Sequence, residues 1–350
     1  MKIVLISSGA LPVPPVGYGG LEQVVYDLAA ELVKEHEVHI IAPTESKLPE
    51  GCNLIDCGPC SSNARQWEFD AFQKYQGMFS STEFKDAIWH DHTWRKFIYI
   101  AKANIPSLNV MSTLHGMLPY QSPPPVSRPS ICGISKHHAD TISAGLGIPT
   151  RFVYNGIDLE KYPYNPGEAR TNRFLFLARI TPFKGTHTFV DLMRSLQLEG
   201  DVIGDDQMVE DKAYVERIIQ ACNDYPKTRY WGGVSRAMAA DLFRKAKAYI
   251  LPCSQNWQEP FGLTVVESMA SGCPVIATAS GAIPELIVDG ETGFVAKTTQ
   301  DLQTIINQFN RGVYIITPED CRKRAEVFSR KNMAKGYIAR YHEVLENGGW

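Results

Sequence analysis

Along the chain, short runs of apolar and β-branched residues alternate with longer stretches whose apolar positions return every three or four residues. Lys2–Ile6 is the first short run and predicts a strand. Leu21, Val24, Val25, Leu28, Ala29 and Leu32 then fall at helical spacing, which predicts an amphipathic helix from about Gly20 to Lys34. Val38–Ala42, Ile88–His90, Val110–Leu114, Ile131–Ile134 and Phe152–Tyr154 predict further strands. The rhythm restarts in the second half. Strands are predicted at Phe174–Leu177, Val202–Gly204, a run ending at Tyr230–Trp231, Ala248–Leu251 and Val275–Ala277. Helices are predicted at Thr186–Ser195, Ala213–Cys222, Arg236–Arg244 and Leu263–Ala270, and the charged stretch Pro318–Leu345 also reads as helical. Strands alternating with helices imply parallel sheets covered on both faces.

The two halves part near Asn155–Ala169, where NGIDLEKYPYNPGEA is rich in Gly, Pro, Asn and charge and suits a linker. A length of 350 residues suits two domains of ordinary size. The expected division is 1–157, 158–328 and a terminal helical segment 329–350. The expected fold class is α/β, with two doubly wound, Rossmann-like parallel-sheet domains. Ligands in such sheets bind at the carboxyl ends of the strands, and two facing domains make a cleft. Chemistry is therefore expected on strand-to-helix turns that face a central cleft.

Composition narrows the function classes. Hydrophobic residues make up 44% and charged residues 21%, which suits a chain with a sizeable core. A net charge of -3 and a pI near 6.3 give no electrostatic case for nucleic acid. No run of 18 apolar residues predicts a transmembrane helix, and MKIVLISSGALP reads as an opening strand, so a cytoplasmic chain is expected. At most a peripheral membrane contact is expected, and no strong basic amphipathic helix supports one. Eight cysteines are scattered. Cys52, Cys57 and Cys60 cluster, but no second close Cys/His pair follows, and free thiols are the better reading.

Four motifs could carry chemistry. After the first strand, Gly17, Gly19 and Gly20 precede the helix, either as a phosphate cradle or as a simple turn. In Ala178-Arg179-Ile180-Thr181-Pro182-Phe183-Lys184-Gly185, two cations five residues apart lie on a strand-to-helix turn. One forked and one point-like cation can bracket a diphosphate. In Glu259-Pro260-Phe261-Gly262-Leu263-Thr264-Val265-Val266-Glu267, a turn opens a helix. Its N–H groups suit phosphate or sugar hydroxyls, and Glu259 and Glu267 can accept hydrogen bonds from sugar hydroxyls. In Ile88-Trp89-His90-Asp91-His92, the histidines end a strand; His90 or His92 is expected to contact an acceptor rather than a metal.

With these motifs in hand, the chain resembles glycosyltransferase family 4, whose members are retaining enzymes of the GT-B type. The resemblance rests on the E-x7-E pattern from Glu259 to Glu267, on GYGG-x-E near the start, LHG at Leu114–Gly116, VYNGID at Val153–Asp158, ARITPFKG, and the block from Glu259 to Val295. It implies a GT-B fold whose last helix crosses back to the first domain. It implies a hexose moved with retention from a nucleotide-diphosphate sugar to a sugar, lipid or small-molecule acceptor, without a metal ion or tightly bound cofactor. The expected donor is a UDP-sugar such as UDP-glucose, with a GDP-sugar as the alternative. By similarity, Arg179 and Lys184 hold the diphosphate, backbone N–H groups of Phe261, Gly262 and Leu263 bind phosphate and sugar, Glu259 binds donor-sugar hydroxyls and Glu267 the ribose. The loop Gly232-Gly233-Val234 meets the base, Gly19 and Gly20 close on the phosphates, and His115 approaches the transferred sugar, making His115, Arg179, Lys184 and Glu259 the catalytic set. The Gly204-Asp205-Asp206 loop departs from many relatives, which have a further glycine there. A non-catalytic nucleotide-sugar-binding protein and a GT-B epimerase- or phosphorylase-like enzyme are the competing readings. A dehydrogenase is disfavoured because no tight G-x-G-x-x-G follows a strand.

Overall fold

The computed structural model describes residues 1–116, 122–204 and 209–350. Of the sequence readings, Asp205 and Asp206 lie outside the described residues. The chain divides into two compact units, one made of Met1–Gly156 with Arg330–Trp350, the other of Ile157–Ser329.

The first unit runs β1 (Lys2–Ile6), α1 (Gly20–Leu32), β2 (Glu37–Ala42), β3 (Asn53–Asp56), α2 (Ala64–Tyr75), β4 (Ile88–Asp91), α3 (Ile98–Asn104), β5 (Asn109–Thr113), β6 (Ile131–Gly133), α4 (Lys136–Leu146) and β7 (Arg151–Phe152). Its seven strands form one parallel sheet in the order β3-β2-β1-β4-β5-β6-β7. Helices cover both faces, so β1 and β4 are buried almost end to end; β1 reads as a near-continuous apolar run, whereas β4 carries the buried polar residues His90 and Asp91.

The second unit runs β8 (Arg173–Leu177), α5 (Thr186–Ser195), β9 (Glu199–Ile203), α6 (Lys212–Asn223), β10 (Thr228–Gly232), α7 (Arg236–Lys245), β11 (Tyr249–Leu251), α8 (Leu263–Ala270), β12 (Val275–Thr278), α9 (Ile283–Leu286), β13 (Gly293–Ala296), α10 (Thr299–Asn310) and α11 (Pro318–Glu326). Its six parallel strands are ordered β10-β9-β8-β11-β12-β13. The sequence therefore predicted the class correctly: two doubly wound parallel sheets.

Each sheet has a point where strand order reverses. It lies between β1 and β4 in the first sheet and between β8 and β11 in the second. The loops leaving those neighbouring strands diverge to opposite faces and open a crevice at the carboxyl edge, the usual ligand position in such sheets.

Two local expectations gain detail. Pro318–Leu345 is not one helix. It breaks at Val327–Ser329, where Phe328 is buried and its carbonyl accepts the Ile157 N–H. A second helix, α12 (Arg330–Asn347), follows and packs on α1 and β5 of the first unit. Its Met333, Tyr337, Tyr341 and Val344 share one buried face, each worth about 1.5–3 kcal/mol of burial. The division between the two units falls inside the Asn155–Ala169 segment, whose start is packed, since Asn155 and Ile157 are buried.

Candidate functional site

In the second unit the site begins with the turn after β8. Pro182–Lys184 forms a single 3-10 turn that ends at Gly185 in the left-handed region, φ +77. A Cβ on Gly185 would lie 1.8 Å from the Pro252 carbonyl oxygen, so only glycine lets this turn meet the loop after β11. The two loops are then tied by the Ser254 N–H, which donates to the Phe183 carbonyl at 2.9 Å. These are the loops flanking the switch point, and their contact brings together residues 75 positions apart.

The result is a compact charged cluster. The Lys184 ammonium donates to the Glu259 carboxylate. The Trp257 indole N–H donates to the same Oε2 at 2.9 Å. The Trp257 ring stacks on Phe183 at 4.5 Å between centroids, with Lys184 Nζ 5.3 Å over the indole and the Arg179 guanidinium 5.8 Å over Phe183. Burial pushes the Glu259 carboxyl up, but the charge and hydrogen bond of Lys184, the Trp257 N–H and the charge of Arg179 outweigh it. The carboxyl is held below the ordinary glutamate range. Glu259 is thus a buried, ionised carboxylate already gripped by the cations that would also suit a diphosphate.

The backbone around Glu259 is fixed as firmly. Its N–H donates to Ser280 Oγ at 3.2 Å, Ser280 Oγ donates to the Trp257 carbonyl at 2.6 Å, and the Ala282 N–H donates to the Glu259 carbonyl at 2.9 Å. Helix α8 follows, with Gly262 at its N-cap and no side-chain cap. Helices α1 and α5 also start from glycine N-caps, Gly19 and Gly185, without a side-chain cap. By contrast α2, α4, α6, α7, α10 and α11 are each capped by an Asn, Ser, Asp or Thr side chain. The short helices α3 and α9 lack such a cap too. At the switch points, then, the helices start from glycines that offer no capping side chain, and the positive end of the helix dipole there suits an anion.

One turn into α8, Glu267 is buried and 3.7 Å from an Arg236 guanidinium nitrogen, so it is not an ordinary exposed helix glutamate. Phe261 and Gly262 are buried, while Leu263 and Val234 are partly exposed. Arg179, Lys184, Glu259 and the α8 N-terminus are brought together at one sheet edge. Val234 lies in the loop between β10 and α7, two residues before Arg236, which reaches Glu267.

In the first unit, Gly19 and Gly20 open α1, and the buried Glu22 of its first turn accepts a hydrogen bond from Ser8 Oγ at 2.8 Å. His115 follows β5 and is half-buried, with Nε2 2.8 Å from His92 Nδ1. The expectation that His90 or His92 meets an acceptor is overturned: both are fully buried at 0% exposure and bonded to protein groups. Burial, helped by neighbouring histidines and Lys96, holds all three imidazoles well below the ordinary histidine range, so all are neutral. Among the described residues, no group of three or more His, Cys, Asp and Glu is placed to hold a metal ion.

Sequence reasoning missed Trp257, Ser280, Gly281, Arg236, Tyr337 and Tyr341. The first was within reach, since an aromatic two residues before a site carboxylate can reach it; the tyrosines lie more than 200 residues from their partners.

Comparison with known proteins bears on the whole chain. The Glycosyltransferase Family 4 model matches residues 18–161 and the Glycosyl transferases group 1 model matches residues 163–327. An uncharacterized glycosyltransferase of Methanocaldococcus jannaschii is 29% identical over 62% of this chain and 60% of its own length. The spore coat protein SA of Bacillus subtilis is 23% identical over 99% of this chain and 98% of its own. The crystal structure of Anabaena HepE in complex with UDP and glucose superposes with a TM-score of 0.70 at 19% identity, covering 97% of this chain and 98% of that one. Among the described residues no helix is long and apolar enough to cross a membrane.

Proposed function

The chain belongs to the GT-B glycosyltransferases of family 4, and from that premise we propose that it moves a hexose, with retention, from a UDP-sugar to a hydroxyl-bearing acceptor. The observation that carries this reading is the Lys184–Glu259–Trp257 cluster beside the uncapped start of α8. A nucleotide sugar carries both a diphosphate and a ring of hydroxyls, and this cluster offers cations to one and a carboxylate to the other.

In the proposed mechanism the donor diphosphate settles against Arg179, Lys184 and the N–H groups of Phe261, Gly262 and Leu263. Lys184 turns from Glu259 to phosphate, and Glu259 accepts hydrogen bonds from the sugar instead. Glu267 takes the ribose hydroxyls and Val234 lies toward the base. From the first unit, Gly19 and Gly20 serve the phosphates and His115 the transferred sugar. The anomeric C–O bond then breaks, leaving its electron pair on the diphosphate, where the two cations stabilise it. The acceptor oxygen attacks the same face of the sugar and its proton passes to a diphosphate oxygen. Arg179 and Lys184, both partly buried, supply the positive charge that the leaving diphosphate needs. The proposed compartment is a reducing cytoplasm, supported by eight cysteines that form no disulfide.

The reading is tested by a panel of nucleotide sugars scored for thermal stabilisation. At a concentration one hundred times its Kd, the true donor should add about 2.7 kcal/mol of stability. A GDP-sugar outranking every UDP-sugar would reassign the base, and no shift with any nucleotide sugar would sink the proposal.

Trp257→Phe is expected to keep the stack on Phe183 and remove the N–H that aims Glu259. Losing one hydrogen bond to a charged group costs about 1.5–3 kcal/mol. The donor KM should rise tenfold or more in steady-state kinetics, and an unchanged KM would remove Trp257 from the site.

A further inference from the structure

Behind His115 lies a chain of polar groups that the proposed reaction does not use. On β4 and just after it, His90 and His92 are two residues apart and share a face of the sheet. On β5 and just after it, Thr113 and His115 do the same. His115 Nε2 lies 2.8 Å from His92 Nδ1, His92 Nε2 lies 3.2 Å from His90 Nδ1, and His90 Nε2 lies 2.8 Å from Thr113 Oγ1. Thr113 Oγ1 donates to Tyr337 Oη at 3.2 Å, and Tyr341 Oη lies 2.8 Å from His90 Nδ1. His90, His92, Thr113, Tyr337 and Tyr341 are all 0% exposed, so protein groups alone decide where each proton sits. Buried Lys96 bridges the ends of the two strands, donating to the Asp91 and Thr113 carbonyls at 2.9 and 2.8 Å.

Proton counting orders this chain. A neutral imidazole has one N–H and one lone pair. The Thr113 hydroxyl spends its proton on Tyr337, so it accepts from His90, which puts the His90 proton on Nε2 and leaves Nδ1 an acceptor. That lone pair takes the Tyr341 hydroxyl and, at the longer distance, the His92 Nε2–H. His92 Nδ1 is then an acceptor, and the His115 proton must be on Nε2. The reverse order would set the lone pairs of His92 Nε2 and His90 Nδ1 against each other at 3.2 Å between two fully buried side chains.

We propose that this relay, anchored by Tyr337 and Tyr341 of α12, is a positioning device that locks His115 in the Nε2–H form, so that Nδ1 offers only a lone pair and selects a hydroxyl of the sugar over a phosphate or carboxylate oxygen. The proposal rests on the reading of His115 as a sugar contact. Thr113, His90, His92 and the two tyrosines act through His115. A hydroxyl can donate to Nδ1, whereas an ionised oxygen would meet it lone pair to lone pair.

The test is long-range 1H–15N NMR of the full chain labelled at histidine, with His115→Gln used to assign the His115 signals. Wild type should show His115 protonated at Nε2 and bare at Nδ1. Thr113→Val removes the acceptor at the end of the relay. His90 then moves its proton to Nδ1 to donate to Tyr341, the order reverses, and His115 should switch to the Nδ1–H form. Its kcat/KM should fall roughly tenfold, one neutral hydrogen bond. Thr113→Ser keeps the hydroxyl and should keep both the wild-type tautomer and rate, which separates the relay from simple packing damage. His115 found as Nδ1–H in wild type, or unmoved in Thr113→Val, would overturn the relay. A switched tautomer with an unchanged rate would overturn the hydroxyl assignment and the sugar contact beneath it.

Discussion

Replacing Lys184 with alanine is expected to lower kcat by about a hundredfold or more, the usual loss for one donor to a developing anion. It should also destabilise the resting protein. Lys184 and Glu259 are both largely buried, and their side chains make a direct ion pair. Removing one partner strands the other, at a cost of about 3 kcal/mol or more. The two effects can be separated. Lys184→Met combined with Glu259→Gln removes both charges, and the glutamine amide oxygen can still accept the Trp257 N–H. That double variant should recover most of the stability and none of the turnover. Near wild-type turnover in Lys184→Ala would sink the assignment, and equal destabilisation in the single and double variants would show that the pair is not the cause.

The same pair sets an acid dependence. The Glu259 carboxyl lies below its ordinary value when folded. Its stabilising contribution is therefore fully present above the ordinary glutamate value, about 4.3, and fades as pH falls through the lowered folded value. In Lys184→Ala burial of the carboxyl is left with less to oppose it, so the acid limb of a stability curve should become shallower.

Much of this arrangement was legible in the chain because the relevant elements are strongly periodic. Helices α5 and α8 begin and end where the spacing of apolar residues says. Strand β3 was not read, because Asn53–Asp56 is an edge strand with mostly exposed positions and no alternation to see. Helix α10 was missed although Thr298 and Asp301 form a capping box, a signal present in the sequence. Arg179, Lys184, Glu259 and Glu267 were legible as charges at strand-to-helix turns. The chain does not reveal that Lys184 and Glu259 hold each other, because that contact depends on how two loops cross a switch point. The link from His90 to Tyr341 spans 251 positions and follows only from α12 returning to the first unit.

Gly281→Ala should be strongly damaging although Gly281 carries no chemistry. Gly281 has φ +52, and a Cβ there would lie 2.3 Å from the Glu259 carbonyl oxygen and 2.5 Å from its backbone N. The atoms it strikes are backbone, so no side chain can rotate away. The neighbouring bonds resist movement as well, since Ser280 and Ala282 both hydrogen-bond to Glu259. Left-handed backbone for alanine costs about 1–2 kcal/mol, and overpacking adds about 1–3 kcal/mol more. A loss near 3 kcal/mol should lower the unfolding midpoint of the second unit by about 6–12 °C. Whatever strain the loop relieves by shifting moves Glu259 off Trp257 and Lys184, and a displacement of about 1 Å can cost a hundredfold in rate. Calorimetry and steady-state kinetics on the same sample would check both numbers. A variant with wild-type stability and turnover would mean that the Glu259 loop is far more pliant than its hydrogen bonds indicate, and the pre-aimed carboxylate would have to be abandoned with it.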